Sequence, residues 1–79
     1  MAIQLFLAAT LRRYVPGYDA NTGHFVEVLP GITVLDLARQ LGLPDQEVKL
    51  IMVNGIGAKW GTVLQGDERV GLFPPVGGG

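Results

Sequence analysis

The chain has 79 residues, of which 48% are hydrophobic, and a formal net charge of −1 at neutral pH. This length supports one small domain with a single core, and this hydrophobic fraction excludes a disordered chain. The balance of acidic and basic residues argues against a nucleic-acid-binding surface. The absence of cysteine excludes disulfides and cysteine-based metal sites, and it is compatible with the cytoplasmic location that we expect.

The first part of the chain predicts a β-hairpin. Apolar residues alternate along residues 3–9, as in a half-buried strand: Ile3, Leu5, Leu7 and Ala9. Turn-forming residues fill residues 12–23, which we predict as a long loop. Aromatic and β-branched residues follow at 25–29, before Pro30-Gly31. This segment predicts a second strand that pairs with the first.

A helix is predicted over residues 33–41. Thr33 is a favourable N-cap, and Asp36 lies three residues later, as in an acidic form of the capping box. Gly42 supplies the position after the helix, and Pro44 prevents its continuation. The apolar residues that share one face are Val34, Leu37, Ala38 and Leu41.

The second part of the chain predicts the rest of a sheet. A buried central strand is expected at 49–53, followed by a turn at Asn54-Gly55. Residues 63–64 could form a short strand, residues 65–68 a polar turn, and residues 69–73 a last strand in the sheet interior.

This order of elements predicts an α+β fold, in which one main helix packs across a mixed sheet of four to five strands. We expect the domain to occupy residues 1–75 and the glycine tail residues 76–79.

The side chains offer little for catalysis. His24 is the only histidine and serine is absent, so no nucleophile has a matched base. We interpret His24 as a surface residue, Asp67 and Glu68 as a solvated turn, and the pair Arg12-Arg13 as solvated, with an acidic partner surface as the alternative. The glycine-rich stretch before Trp60 departs from phosphate-loop spacing and favours a structural turn.

The ending Leu72-Phe73-Pro74-Pro75-Val76-Gly77-Gly78-Gly79 is the exception. Prolines hold a stem extended, and glycines let a backbone thread into a narrow site without a Cβ that would clash. The terminal carboxylate is ionised at neutral pH and could attack the α-phosphorus of ATP to give an acyl-adenylate. An inert extension is the alternative, but it does not account for the Phe-Pro-Pro-Val stem.

These residues resemble the ThiS/MoaD family of ubiquitin-like sulfur carriers, and most closely its MoaD branch, the small subunit of molybdopterin synthase. The resemblance covers essentially the whole chain and implies a β-grasp fold. The matching residues are Gly66-Asp67-Glu68-x-Val70-x-Leu72-Phe73-Pro74-Pro75-Val76-x-Gly78-Gly79, with weaker matches over residues 5–17, at Thr33-Val34-x-x-Leu37 and at Val53-Asn54-Gly55.

The resemblance implies a carrier rather than an enzyme. It implies that a ubiquitin-activating-type adenylyltransferase, which uses ATP, adenylates Gly79, and that Gly79 then becomes a thiocarboxylate. The tail Gly77-Gly78-Gly79 would insert into the large synthase subunit, which passes the sulfur to a pterin precursor. Phe73, Pro74, Pro75 and Val76 would form the partner interface. No cofactor or metal bound to the carrier itself is implied.

Two departures from the family pattern matter. Gly77 stands where the MoaD branch commonly has alanine, and the loop at 12–23 and the Trp60 segment look atypical. Three further hypotheses therefore stay open: a sulfur carrier for another pathway such as thiamine synthesis, a protein modifier that forms isopeptide bonds, and an interaction module with an inert tail.

Overall fold

The computed structural model of the chain describes residues 2–75. Five strands, one α-helix and two 3-10 helices make up the described part: β1 (Ala2–Leu7), a first 3-10 helix (Ala9–Tyr14), β2 (His24–Glu27), α1 (Val34–Gln40), a second 3-10 helix (Asp45–Glu47), β3 (Leu50–Val53), β4 (Ile56–Ala58) and β5 (Arg69–Phe73). The predicted α+β architecture is therefore confirmed, with a mixed sheet and one main helix.

The sheet has the order β2-β1-β5-β3-β4. β1 and β5 are parallel, and the other three pairs are antiparallel. The last strand of the chain is consequently the middle strand of the sheet, as predicted for residues 69–73. The segment predicted as the central strand, at 49–53, is instead β3. It lies one place further out, and only Ile51 in it is buried.

The core lies between one face of this sheet and α1. Alternate residues of each strand point toward the helix, because successive strand side chains lie on opposite faces. Fully buried or nearly fully buried members of this core are Ile3, Leu5, Leu7, Val34, Leu37, Ala38, Val70 and Leu72. The other face of the sheet, which we call the open face, is not covered by α1, the single α-helix among residues 2–75. None of the helices in that range has the length and hydropathy needed to span a bilayer.

The ends of α1 confirm the sequence signals. The Thr33 hydroxyl accepts from the backbone N–H of Asp36 at 3.1 Å, and the Asp36 carboxylate accepts from the backbone N–H of Thr33 at 3.1 Å. These hydrogen bonds, chiefly the backbone one from Thr33, lower the pKa of Asp36. Gly42 has φ +73°, and the N–H of Leu43 reaches the Ala38 carbonyl at 2.9 Å. A capping box and a Schellman motif thus close the helix.

We expect Thr33→Ala to lower the free energy of unfolding by about 1 kcal/mol, because it removes the hydroxyl that caps the N–H of Asp36. Urea denaturation measures the change. Thr10→Ala is the matched control, since Thr10 is exposed in the first 3-10 helix. Equal stabilities for the two variants would contradict a stabilising role for the cap.

Three segments differ from the sequence predictions. Residues 9–14 form a 3-10 helix where strand and loop were expected, because Leu11 and Val15 bury their side chains in the core. Residues 63–64 form no strand and contribute one isolated bridge, between Val63 and Thr33. The strand beyond β3 comes instead from the glycine-rich segment. Asn54 and Gly55 have φ +52° and +80° there, as a two-residue hairpin between β3 and β4 requires.

Candidate functional site

The candidate site is the end of β5, where the chain leaves the sheet. The Leu72 carbonyl accepts from the N–H of Ala8 at 3.2 Å, and the Phe73 carbonyl accepts from the N–H of Lys49 at 2.8 Å. Both neighbouring strands therefore hold the backbone up to Phe73. Pro74 and Pro75 follow, and proline has no N–H with which to continue the ladder. The stem thus starts from a fixed point in the middle of the sheet.

The predicted tail continues beyond this point. Val76, Gly77, Gly78 and Gly79 lie outside the described residues, so their predicted roles in partner contact, insertion and covalent activation stay predictions. Of the predicted partner-interface residues, the structure places Phe73, Pro74 and Pro75 together at the end of β5.

Apolar side chains surround this exit on the open face. We call four of them the open-face patch: Phe6, Leu50, Met52 and Phe73. Phe73 lies opposite Leu50, and Gly71 separates Phe6 from Met52. Leu50 is 48% exposed and Phe73 36% exposed. An exposed apolar cluster beside a protruding stem is typical of a surface that a partner covers.

A cavity of about 450 Å³ lies next to the patch, between the start of β3 and the end of β4. Trp60 lines it and also packs against the core. Its two charged lining residues, Lys49 and Lys59, are both cations. Lys49 and Lys59 therefore give this cavity a basic lining, which was not apparent from the sequence.

The two arginines after β1, Arg12 and Arg13, contact other residues of the domain and are not simply solvated. The Arg12 Nε donates to the Leu7 carbonyl at 2.9 Å, and its guanidinium lies 5.7 Å from the centre of the Tyr18 ring. The N–H of Leu7 donates to the Tyr18 hydroxyl at 2.8 Å. Leu7 is the register partner of Leu72, so Arg12 and Tyr18 brace the strand beside the exit.

Arg13, the other member of the pair, turns toward the second 3-10 helix. It forms an ion pair with Glu47 at 3.2 Å, and the Tyr14 hydroxyl donates to the same carboxylate at 2.5 Å. These contacts join the two 3-10 helices. The interpretation of Arg12 and Arg13 as only solvated is therefore wrong.

Glu68 also departs from its predicted role in a solvated turn, since it is only 7% exposed. Its carboxylate accepts from the backbone N–H groups of Gln65, Gly66 and Asp67, at 2.8, 3.0 and 3.2 Å. Burial alone would raise the pKa of Glu68, but these backbone hydrogen bonds together lower it below its ordinary value. The Glu68 carbonyl accepts from the N–H of Gln4 at 3.0 Å, so one residue fixes the turn before β5.

His24 and the acidic side chains were the candidates for chemistry outside the tail. His24 is half-buried at the start of β2. Within residues 2–75, no three histidine or acidic side chains approach closely enough to hold a metal ion. The candidate site is therefore the end of β5 together with the exposed apolar side chains around it.

Comparison with solved structures confirms the fold class of this chain. The small archaeal modifier protein 1 of Haloferax volcanii is 24% identical, with a TM-score of 0.72 and full coverage of both chains. A Pyrococcus furiosus protein, named provisionally as molybdopterin converting factor subunit 1, is 22% identical, with a TM-score of 0.71, over 96% of this chain and 99% of that one. A second H. volcanii protein, known from a solution structure, is 26% identical with a TM-score of 0.74, over 100% and 87%. The fold is the ubiquitin-like β-grasp.

The family follows from the sequence match. The model of the ThiS family matches residues 13–79, which is most of the chain. The chain belongs to the ThiS family. A comparison with curated proteins finds no match. The resemblance noted from the C-terminal motif is thereby confirmed at the level of the family.

Proposed function

We propose that this ThiS-family protein is a sulfur carrier whose terminal Gly79 is adenylated and converted to a thiocarboxylate, and that it donates sulfur for molybdopterin in molybdenum or tungsten cofactor biosynthesis. One observation carries the proposal: the last strand is the middle strand of the sheet and leads directly into Pro74-Pro75 and the glycine tail. A rigid domain that ends in a narrow stem suits delivery of a terminal carboxylate to another protein's active site.

The proposed chemistry consists of two nucleophilic substitution reactions at the terminal carboxyl group of the tail. A carboxylate oxygen of Gly79 attacks the α-phosphorus of ATP, and pyrophosphate leaves. A hydrosulfide-type nucleophile then attacks the acyl carbon, the C–O bond to the phosphate breaks, and AMP leaves with its electron pair. The proton of the nucleophile is lost to a base on the partner enzyme. The carrier contributes the acyl group, and the partner contributes the catalytic residues.

Partner binding must offset the backbone freedom that any four-residue chain end loses when it enters a narrow site. Fixing residues 76–79 costs about 4–8 kcal/mol at roughly 1–2 kcal/mol per residue. Burial of the open-face patch against a partner supplies part of this free energy, because transferring apolar side chains from water is favourable. Phe73, Pro74, Pro75 and Val76 form the adjoining contact, and Gly77, Gly78 and Gly79 enter the active site.

Two kinds of partner fit this proposal, and we place both in the cytoplasm. The first is a ubiquitin-activating-type adenylyltransferase, which binds the ATP. The second is the large subunit of a molybdopterin synthase, which receives the sulfur. The Phe-Pro-Pro-Val stem and the likeness to the P. furiosus protein favour molybdopterin over thiamine synthesis as the pathway.

A protein modifier is the second candidate function, because the fold and full length of the chain also match the archaeal modifier protein. Both functions begin with adenylation and differ in the nucleophile that follows. Lysine-linked conjugates recovered from cells, dependent on Gly79, would favour the modifier.

The test of the carrier is an intact-mass measurement after incubation with ATP, an activating enzyme of the same genome and a sulfide donor. We expect a gain equal to the mass difference between sulfur and oxygen, and no gain when ATP is omitted. An unchanged mass, with an activating enzyme that is active on another carrier, would reject the proposal.

A further inference from the structure

The ring of Phe73 lies folded back along its own strand, over Gly71. A Cβ placed on Gly71 would lie 3.2 Å from Cε1 and 3.4 Å from Cζ of Phe73, and 3.8 Å from the Cβ of Met52. Side chains at positions 71 and 73 share the open face, because the side-chain period of a strand is two residues. The ring therefore occupies the space that a side chain at position 71 would fill.

This contact gives Phe73 a second anchor. Its carbonyl accepts from the N–H of Lys49 at 2.8 Å, and its ring lies over Gly71. Phe73 also precedes Pro74, which restricts the residue before it to extended conformations. Because the rotamer of a side chain depends on its backbone angles, the position of the ring and the direction of the stem are coupled.

We propose that Gly71 is a positioning residue for tail delivery: its missing side chain lets the Phe73 ring pack over β5, and this sets both the direction of the stem and the height of the open-face patch that the adenylating enzyme covers. The inference rests on the proposed function. The Cβ of an alanine at position 71 would lie 3.2 Å from the ring, so the ring would have to shift by a few tenths of an ångström and the enzyme would meet a displaced patch.

The first test concerns the ring itself and needs no enzyme. An aromatic ring shifts the NMR signals of the protons close to it, so the Hα shifts of Gly71 should differ between the parent protein and Phe73→Leu, which has no ring. In Gly71→Ala the ring-proton shifts of Phe73 should depart from those of the parent protein, because the ring must move away from the new Cβ. Unchanged Phe73 ring-proton shifts in Gly71→Ala would overturn the proposal.

The second test concerns delivery. Gly71→Ala should raise the KM of the activating enzyme for the carrier by about 5- to 30-fold, with kcat unchanged. This factor corresponds to a loss of about 1–2 kcal/mol of binding free energy. Gly57→Ala is the matched control, since Gly57 lies in β4, has an ordinary φ, and leaves open space within 4 Å of where a Cβ would stand. The control should keep the KM of the parent protein. An equal KM for both variants and the parent would contradict a role in delivery.

A double-mutant cycle separates the ring from other effects of the substitution. In the Phe73→Leu background, Gly71→Ala should change KM by less than about twofold, because no ring remains to be displaced. An undiminished effect there would overturn the proposal. If the parent protein is not adenylated at all, the proposed function and the delivery role both fail, while the NMR shifts still decide whether Gly71 seats the ring.

Discussion

Deleting Gly78 and Gly79 should lower the rate of thiocarboxylate formation by at least about 100-fold. The new terminal carboxylate would belong to Gly77 and would fall about 7 Å short of its place, since an extended chain spans about 3.3–3.6 Å per residue. A reacting group displaced by even about 1 Å loses on the order of 100-fold in rate. Intact-mass measurement over a time course, with ATP, activating enzyme and sulfide, follows the loss.

The same deletion should leave the melting temperature unchanged, because the core and the β5 hydrogen bonds lie within residues 2–75. Gly77→Ala is the matched control, since it preserves the length of the tail and its terminal glycine pair, and it should keep most of the activity. Normal thiocarboxylate formation by the deleted chain would contradict a role for Gly79, and a large fall in melting temperature would contradict the separation of domain and tail.

Glu68→Ala should cause the largest loss of stability among the substitutions considered, about 2–4 kcal/mol. It removes the acceptor of three backbone N–H groups, of which that of Gly66 is buried. The unpaired N–H groups then carry their full desolvation cost, and the turn before β5 loses the carboxylate that holds it together. Glu68→Gln, which keeps the size and one acceptor oxygen, should lose less.

Asp67→Ala provides the control for Glu68. Asp67 is the neighbouring acidic residue and is exposed, so its loss should change stability by no more than about 0.5 kcal/mol. Urea denaturation of the three variants at neutral pH measures these differences. A Glu68→Ala protein as stable as Asp67→Ala would show that the hydrogen bonds around the buried carboxylate contribute nothing.

The pKa of Glu68 adds a pH dependence of known sign. Because the pKa is lowered in the folded state, the ionised carboxylate stabilises the fold fully above the ordinary glutamate pKa of about 4.3. This contribution is lost as the pH falls through the folded-state value. The stability difference between the parent protein and Glu68→Gln should therefore shrink on acidification. A difference that grows on acidification would contradict the assigned direction.

The parts of the fold that were predicted correctly depend on short stretches of sequence. The helix carries its own signals in Thr33, Asp36 and Gly42, and the β3–β4 turn carries its signal in Asn54-Gly55. The first 3-10 helix was missed because it depends on distant contacts, such as that between Tyr14 and Glu47. Turn-forming residues nearby suggested a loop, and tertiary packing overrode them.

The candidate site was likewise predictable from the sequence only in part. The stem was predictable because its residues are consecutive: Phe73, Pro74 and Pro75. Its surroundings were not, because the sheet register decides which side chains flank the exit. Leu50 lies beside Phe73 only through the β3–β5 pairing, and the Phe73 ring over Gly71 requires the open face to be uncovered there. The burial of Glu68 was not predicted either, because it depends on how the turn folds three backbone N–H groups around the carboxylate.

The position of β5 also governs when the molecule can be assembled during its synthesis. β5 follows the other four strands in the chain and fills the gap between β1 and β3, so the sheet stays in two separate parts until residues 69–73 are free to pair. Folding that joins segments distant in sequence must wait until both segments have been made. A chain that terminates before residue 69 therefore lacks its middle strand and has no stem on a closed sheet. The strand that closes the sheet is the same strand that carries the stem, so the two form together.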